Sequence, residues 1–509
     1  MIYTENTKNS FYRKWTCCHI QVMIYFRQTL VKKVKKTISS QLFLFSHLFR
    51  GKNKEDSPLK TASNQLTQGP VAKGLISFSL PILFSNLLQQ VYNSADSAIL
   101  GRFVGSDALA AAGSVGSLFN LLVGFSLGLA VGVNILYAIV YGAGDREQLR
   151  RIIGSALILS VLAATLIAIP GTVFADGLLQ LVNTPKDIWV PSRRYLTILA
   201  SGVITTLLYN VGAGILRAEG DSLRPLLYLG IGGMANIVLD LLFVVRFQLG
   251  ISSAAWATVL AQGVTAVLVL HRLTKLDSAY SLTLQSLRFD RRVMMKLLEL
   301  SIPCGLQSSM FNISNLLVQT KINTFGSAIM AGYTAYCKVD SFVYMPIFAF
   351  SSAISTFVGQ NKGACHYTRM RCGIRICTVM TMLITGLLAA GILLFTAPLL
   401  RLFTRDPVAI DFGIRMAAYL MPFVAIYSIS DILGGAIRGF GESAPVTAIS
   451  VCCICIFRII WLEGVFRLYP SEEIVFLCYP ISWLLCVAAV IWFYYRHSKV
   501  YHTIRNTCT

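Results

Sequence analysis

Long apolar runs alternate with short polar connections along most of this chain. Each run is long enough to form a helix across a hydrocarbon layer about 30 Å thick, which takes roughly 20 residues. A β-barrel would show short segments of alternating hydrophobicity instead. The pattern therefore predicts an all-α integral membrane protein with twelve transmembrane helices. The predicted spans are 74–100, 108–141, 151–175, 191–218, 222–247, 251–272, 296–322, 329–360, 371–398, 412–438, 444–467 and 474–495.

The polar connections divide the chain into five predicted regions. The longest connection, 273–295, is expected to link two six-helix lobes, 74–272 and 296–495. Residues 1–73 form a basic extension with 13 Lys or Arg, and 496–509 form a short tail. No signal peptide is expected in the extension, because its apolar stretch is short. Three alternatives stay open for it: an amphipathic helix on anionic lipid, a disordered segment and an upstream translation artefact.

The composition and the placement of charge agree with a membrane protein. Hydrophobic residues make up 55% of the chain and charged residues only 13%, against about 25% charged in soluble domains. The net charge of +21 does not indicate nucleic-acid binding, because the basic residues lie between the apolar runs and in the extension. One side of the predicted membrane holds 32 Lys or Arg and the other holds 10. The positive-inside rule therefore predicts that both termini are cytoplasmic, in a multi-pass protein of the cell membrane.

The chain carries no motif for catalysis or for a resident cofactor. Its 13 Cys show no paired spacing, and Cys365, His366, Cys372 and Cys377 are too irregularly spaced to predict a zinc site. All six His lie outside the predicted helix cores. The sequence has no Walker loop, no Gly-x-Ser-x-Gly elbow and no His-Glu zinc motif. Neither an enzyme nor an ATP-driven pump is expected.

The two halves of the chain resemble each other. Ser79-Leu80-Pro81 returns as Ser301-Ile302-Pro303, and Gly214 to Ser222 returns as Gly435 to Ser443, with nearly the same offset. Because six helices is an even number, both halves enter the membrane in the same direction, as parallel repeats. We therefore expect two lobes with a central cavity between them.

Several polar and glycine-containing motifs occur in and beside the predicted spans. They are Phe78-Ser-Leu-Pro81 with Gln89, Gln90, Tyr92 and Asp96, then Gly101-Arg-Phe-Val-Gly105, Arg217-Ala-Glu-Gly220-Asp221-Ser222, Asn236-Ile-Val-Leu-Asp240, Ala254-Ala-Trp-Ala-Thr258 and Gly359-Gln360-Asn361-Lys-Gly363-Ala364. Together they resemble the motifs of the multidrug and toxic compound extrusion (MATE) family over residues 69–495. The resemblance implies a secondary active antiporter that exports small organic cations, often drugs, in exchange for Na⁺ or H⁺. We expect a monomer in a lipid bilayer, with small organic, cationic substrates and no nucleic-acid partner.

Polar side chains inside the apolar runs of the first half are the candidates for ion coupling. A charged side chain at a helix centre costs about 2.5–3.5 kcal/mol on insertion scales, so such residues are rarely incidental. Tyr92 precedes Asp96 by one turn, and Asn236 precedes Asp240 by one turn, so each pair shares a helix face. Thr258 and Asn210 add further oxygens. If these groups converge, they provide the oxygen ligands that hard cations prefer, or share a proton.

The resemblance implies a role for each of these residues. Asp96 matches the helix 1 acid of the family branch whose cation site lies in the first lobe. Asn236 and Asp240 match its helix 5 pair, and Thr258 matches its helix 6 hydroxyl. Asn210 and Tyr92 match less closely. Pro81 matches the proline about which helix 1 is thought to bend. No metal other than Na⁺ at Asp96, Asn236 and Asp240 is implied.

The second half supplies two candidates for the lining of the cavity, Asp431 and Arg458. No constellation there matches the branch of the family that binds its cation in the second lobe. Two alternative functions stay open. The first is a lipid-linked saccharide or polysaccharide flippase, although only Lys338 and Arg458 add basic charge within the spans. The second is a solute transporter of the major facilitator kind, which also has two parallel six-helix halves.

Overall fold

The computed structural model describes residues 66–182, 184–247, 250–276, 281–283 and 287–508. All of these residues belong to one compact unit, Thr61–Thr509. Most of the predicted basic extension, 1–65, lies outside the described residues. Within the described ranges the regular structure is helical, without a β-strand.

The first half forms eight helices in the order of the predicted spans. They are α1 (Val71–Phe103), α2 (Ser106–Ala143), α3 (Arg146–Val173), the short α4 (Ala175–Leu181), α5 (Trp189–Ser201), α6 (Val203–Ala218), α7 (Leu223–Asp240) and α8 (Ile251–Thr274). A π-helical turn, Leu241–Arg246, continues α7.

The second half repeats this order. Its helices are α9 (Arg291–Asn323), α10 (Ser327–Gly363), α11 (Tyr367–Arg401), α12 (Pro407–Gly439), α13 (Ser443–Ser450), α14 (Phe457–Leu468), α15 (Glu472–Arg496) and α16 (Lys499–Cys508). A π-helical turn, Val451–Ile456, joins α13 to α14 into one span. The connection that was expected at 273–295 runs from Lys275 to Asp290, between α8 and α9.

The predicted twelve-helix architecture is confirmed, with two local differences. Ten described spans are long and apolar enough to cross a membrane, and the bent pair α5–α6 makes eleven. The fourth predicted span, 191–218, is this pair, which bends by 42° where Gly202 separates the two helices. The twelfth helix is α9, which at 33 residues is long enough but carries more polar side chains than the others.

Each lobe has its own apolar core, and the first helix of each half also reaches the other lobe. Leu75, Phe78 and Ile82 of α1 pack into the core formed by the second half. In the same way, Leu297 and Leu300 of α9 pack into the core formed by the first half. These two helices therefore contact the cores of both lobes.

The lobes touch at the end of the molecule that holds the α2–α3, α6–α7, α8–α9, α10–α11 and α12–α13 connections, which we call the basic end. Gln360 donates a 2.7 Å hydrogen bond to the carbonyl of Ala218, and Thr356 donates one of 3.0 Å to Asn134. A Cβ atom at Gly142 would overlap with the carbonyl of Gln360, and one at Gly363 with the carbonyl of Ile139. The absence of a side chain at these glycines therefore lets the ends of α2 and α10 meet backbone to backbone.

Candidate functional site

Two carboxylates from different helices meet inside the first lobe. Asp96 lies on α1, and Asp240 is the last residue of α7 before its π-helical turn. Asp240 is fully buried, and the two carboxyl groups are close enough to interact directly. The sequence predicted that these acids converge if they form a site, and the structure places them side by side.

Neither carboxylate of this pair has its oxygens satisfied within the described part of the protein. Both carboxyl oxygens of Asp240 and one of Asp96 are buried without a hydrogen-bond donor. Leaving a buried polar atom unpaired costs about 1–3 kcal/mol, and more for a charged group. A cation between the two carboxylates, or a proton shared by them, would remove this cost.

Asn236 and Thr258 contribute polar atoms to a small cavity of the first lobe, whose lining does not include Asp96 or Asp240. Asn236 is 3% exposed, lies one turn before Asp240 on α7, and has a side-chain amide nitrogen without an acceptor. Thr258 donates its hydroxyl to the carbonyl of Ala254, so its lone pairs stay available. Tyr92, Asn236 and Thr258 line a cavity of about 10 Å³, which is about the volume that one water molecule needs. This space is also suited to a small cation.

Two further polar residues lie in this region of the first lobe, and the sequence analysis did not identify them. Tyr195 of α5 is 6% exposed and lies near both Asp96 and Asp240. Gln262 of α8 lines the small cavity together with Tyr92 and has a buried carbonyl oxygen without a donor. Their only sequence signal was a polar atom inside an apolar run, which many packing residues share.

The remaining first-lobe candidates stay predictions. Asn210 lies half-buried on α6, and within the described ranges no hydrogen bond ties it to the acid pair. Pro81 lies inside α1, which continues through it as one helix. Because proline has no N–H, this position cannot donate the usual helical hydrogen bond. Ser85 donates a 2.8 Å bond to the carbonyl of Pro81.

Within the described ranges, the two second-lobe candidates form no ion pair with each other, and they differ in their surroundings. One carboxyl oxygen of Asp431 on α12 is buried without a donor. Arg458 on α14 is 4% exposed and is bonded to neutral oxygens of Ser482 and Asn315. Of the other charges in this half, Asp340 accepts a bond from Tyr336, and Lys321 forms a 2.7 Å ion pair with Glu463.

A family model named MatE matches both halves of the chain, at residues 81–242 and 303–461. Among curated relatives, the probable multidrug resistance protein YoeA of Bacillus subtilis is 28% identical over 79% of this chain and 88% of its own length. The probable multidrug resistance protein NorM of Thermotoga maritima is 25% identical over 75% of this chain and 83% of its own length. These relatives are similar along nearly their whole length.

A solved structure shares the fold. It is described as a crystal structure of MATE in the bent conformation, and it superimposes with a TM-score of 0.80 at 23% sequence identity. The match covers 88% of this chain and 99% of that chain. At this identity the likeness shows the arrangement of helices, and the function has to be argued from the residues.

Proposed function

This chain belongs to the MatE family of multidrug efflux transporters, and we propose that it exports small organic cations in exchange for Na⁺ or H⁺ bound at Asp96 and Asp240. Membership of this family makes the chain a transporter and argues against the major facilitator alternative. Three parts of the proposal go beyond membership of the family. They are the coupling ion, the cationic character of the substrates and the residues that hold the ion.

The observation that carries the proposal is the pair of adjacent carboxylates without a donor. Like charges that share a buried site repel each other, so a second carboxylate makes the ionised pair costly. Na⁺ coordinated by Asp96, Asp240 and the oxygens of Asn236 and Thr258 would satisfy these groups, because hard cations prefer such ligands. A proton bound between the two carboxylates would also satisfy them, without contacts to Asn236 and Thr258.

Cation binding at this pair is coupled to the movement of the lobes through α1. This helix carries Asp96 in its second half, whereas Leu75 and Phe78 near its start pack into the core of the second lobe. Neutralising the carboxylates changes how α1 packs, and a bend at Pro81 would pass this change to the other lobe. Substrate and cation then compete through one two-state equilibrium, so each lowers the apparent affinity of the other.

The orientation of the transporter follows from the charge asymmetry of the sequence. We assign the basic end to the cytoplasm, with both termini on that side, in the cell membrane. With the lobes in contact at the basic end, the state seen here is closed toward the cytoplasm. Both lobes and the acid pair lie within one chain, so a monomer is sufficient for transport.

The test is uptake of a fluorescent organic cation into inverted vesicles that contain the protein. A Na⁺ gradient and a pH gradient are applied separately, so that the gradient that drives uptake identifies the coupling ion. Asp240→Asn removes one of the two charges with little change in volume. We expect this variant to insert normally and to lose gradient-driven uptake by at least tenfold.

The matched control is Asp187→Asn, the same substitution at an exposed residue of the first lobe. It should transport at the wild-type rate. Uptake by Asp240→Asn within a factor of two of wild type, at equal protein levels, would show that Asp240 does not couple transport.

A further inference from the structure

The segment that precedes α1 is attached to the second lobe at the basic end. Leu66 is 1% exposed and packs into the apolar core formed by the second half. Residues 67–70 lead from it into α1, which begins at Val71. The chain is therefore bound to the second lobe before its first transmembrane helix starts.

Arg369 of α11 binds the backbone of this segment. Its Nη1 donates a 2.7 Å hydrogen bond to the carbonyl of Gly69, and its Nη2 donates one of 2.7 Å to the carbonyl of Gln68. Its Nε donates a 3.2 Å bond to the carbonyl of Leu66. A guanidinium group can bind several carbonyls at once because its donors point in fixed directions. Its carbon also lies 5.6 Å from the centre of the Phe357 ring, which adds a contact within the second lobe.

A buried amide of α10 holds the same segment. Asn361 is fully buried, and its side-chain nitrogen donates a 2.9 Å bond to the carbonyl of Leu66 and one of 2.8 Å to the carbonyl of Phe357. A hydrogen bond in a buried, low-dielectric environment is stronger than one exposed to water. We call Arg369, Asn361 and the segment Leu66–Gly69 the α1 anchor.

The second half of α1 is attached to the first lobe instead. Tyr92 packs against the first-lobe core, and a Cβ atom at Gly233 of α7 would lie 3.4 Å from its ring. One turn later, Asp96 lies beside Asp240. Pro81 lies between the α1 anchor and this acid pair. Because both ends of α1 are attached, a bend at Pro81 has to move the acid pair relative to the α1 anchor.

The first helix of the second half, α9, is held less firmly by the opposite lobe. Its N-cap residue Asp290 forms a 3.4 Å ion pair with Arg151 of α3, whose side chain is 55% exposed. Water and salt screen such an exposed pair, so it contributes little. Gln148 occupies the position equivalent to Arg369, since each lies three residues after the N-cap of its helix. The firm attachment therefore belongs to the helix that carries an acid of the pair.

We propose that the α1 anchor is the fixed point against which α1 moves, and that Arg369 determines how strongly cation binding opposes substrate binding. This inference rests on the antiport function proposed above and deepens it. With its start attached to the second lobe, an α1 that repacks around neutralised acids changes the arrangement of both lobes. Without the attachment, the start of α1 slips along the second lobe, and the cation binds with little effect on the substrate. Arg369 is thus a positioning residue, which acts through α1.

The test measures a coupling factor, the ratio of the affinities for a fluorescent organic cation without and with a saturating concentration of the driving ion. Binding to the purified full-length protein is followed by fluorescence anisotropy, with the ion that the vesicle experiment identifies. Arg369→Gln introduces the side chain of its counterpart Gln148. We expect a coupling factor of about ten or more in wild type and of about two or less in this variant. The affinity without the ion should change less than twofold.

A second measurement separates positioning from a general loss of stability. The rise in melting temperature that the ion alone produces reports its binding at the acid pair. This rise should be retained in Arg369→Gln and lost in Asp240→Asn. Arg369→Lys keeps the charge but loses the planar fork, so its coupling factor should be intermediate, and it serves as the test if Arg369→Gln does not fold. Arg371→Gln, at an exposed residue of the same helix, should keep the wild-type coupling factor.

A coupling factor equal to that of wild type in Arg369→Gln and Arg369→Lys would overturn the proposal. The attachment itself is measured by electron paramagnetic resonance of a spin label at the exposed Gln68, introduced as a non-natural amino acid because the chain has native cysteines. The label should be more mobile in Arg369→Gln than in wild type, and equal mobility would also overturn the proposal. Failure of the proposed function gives a different result. Asp240→Asn would then keep gradient-driven export, while the spin label still reports whether Arg369 holds the start of α1.

Discussion

The two lobes place different side chains at positions that the internal repeat makes equivalent. Asn210 of the first lobe corresponds to Asp431 of the second, Glu219 corresponds to Phe440, and Asn236 corresponds to Arg458 when the π-helical turns are taken into account. The helices around these positions have the same order and direction. The chemistry of the lobes has therefore diverged on a common framework.

The two lobes also differ in the charge near these positions. In the first lobe, two adjacent acids have buried oxygens without a hydrogen-bond donor. In the second lobe, the buried guanidinium group of Arg458 lies over the ring of Tyr479. The fixed positive charge of Arg458 repels Na⁺. This difference supports the proposal that the coupling ion binds in the first lobe.

The largest effect on export is expected when a side chain of the first lobe is replaced by its counterpart from the second lobe. Asn236→Arg places a guanidinium group on the same face of α7 as Asp240, close to Asp96. This fixed charge would permanently offset one of the two negative charges and repel the mobile cation. We expect gradient-driven export to fall more than tenfold, while the melting temperature is kept or raised. Uptake into inverted vesicles and thermal unfolding in detergent measure the two quantities.

The control for this exchange is Asn236→Gln, which adds a methylene group without charge. It should weaken export much less than Asn236→Arg does. Export by Asn236→Arg that still follows the Na⁺ or pH gradient would show that the acids of the first lobe are not the coupling site.

Hydropathy was sufficient to predict much of the architecture. The twelve spans follow from the length of the apolar runs, and Asp96 and Asp240 could be found because a charge in such a run is costly. The bend between α5 and α6 was missed, because a glycine such as Gly202 is common in membrane helices that stay straight. The polar side chains of α9 did not prevent its identification, since its apolar run 296–322 was long enough to predict a span.

The parts of the site that sequence could not predict depend on packing between helices. Tyr195 carries no charge, so only the tertiary structure brings it to the acids. The π-helical turns have no clear sequence pattern, yet they shift the register that relates Asn236 to Arg458. Spacing alone therefore identified the candidates of each lobe separately and did not reveal that two of them are equivalent.

A smaller effect on export is expected from a substitution where the ends of the equivalent helices α2 and α10 meet. Gly363 of α10 faces the carbonyl of Ile139 on α2 so closely that a methyl group would overlap with it. Gly363→Ala should force the basic end apart and disfavour the state that is closed there. We expect export to fall about three- to tenfold, with normal insertion. The spacing of the two helices can be measured by cross-linking of cysteines introduced at their ends.

Gly113→Ala is the matched control, because Gly113 lies in α2 with open space where a Cβ would stand. It should export at the wild-type rate. Unchanged cross-linking and export in Gly363→Ala would mean that the close approach of α2 and α10 does not stabilise the closed end.

The smallest effect is expected on the pH dependence of stability. It concerns the equivalent residues Glu219 and Phe440, at the basic end of the two lobes. Glu219 follows the end of α6, is 7% exposed, and accepts a 2.8 Å hydrogen bond from Tyr137. Burial raises the pKa of its carboxyl group from the usual 4.5 to about 7. Since the folded state holds the proton more tightly than the unfolded state, the stabilisation is present at low pH. It is lost as the pH rises through about 7.

The wild-type melting temperature in detergent should therefore decrease by a few degrees as the pH is raised from about 5 to about 9. Glu219→Gln keeps an acceptor for Tyr137 and removes the titrating group, so this part of the pH dependence should disappear. Glu147→Gln, a substitution of an exposed acid at the same end, should retain this pH dependence of the melting temperature. The equivalent Phe440 cannot titrate, so this contribution to the pH dependence has no counterpart at the same position of the second lobe. An equal pH dependence in wild type and Glu219→Gln would show that Glu219 stays ionised in the folded protein, and that the two lobes do not differ in this respect.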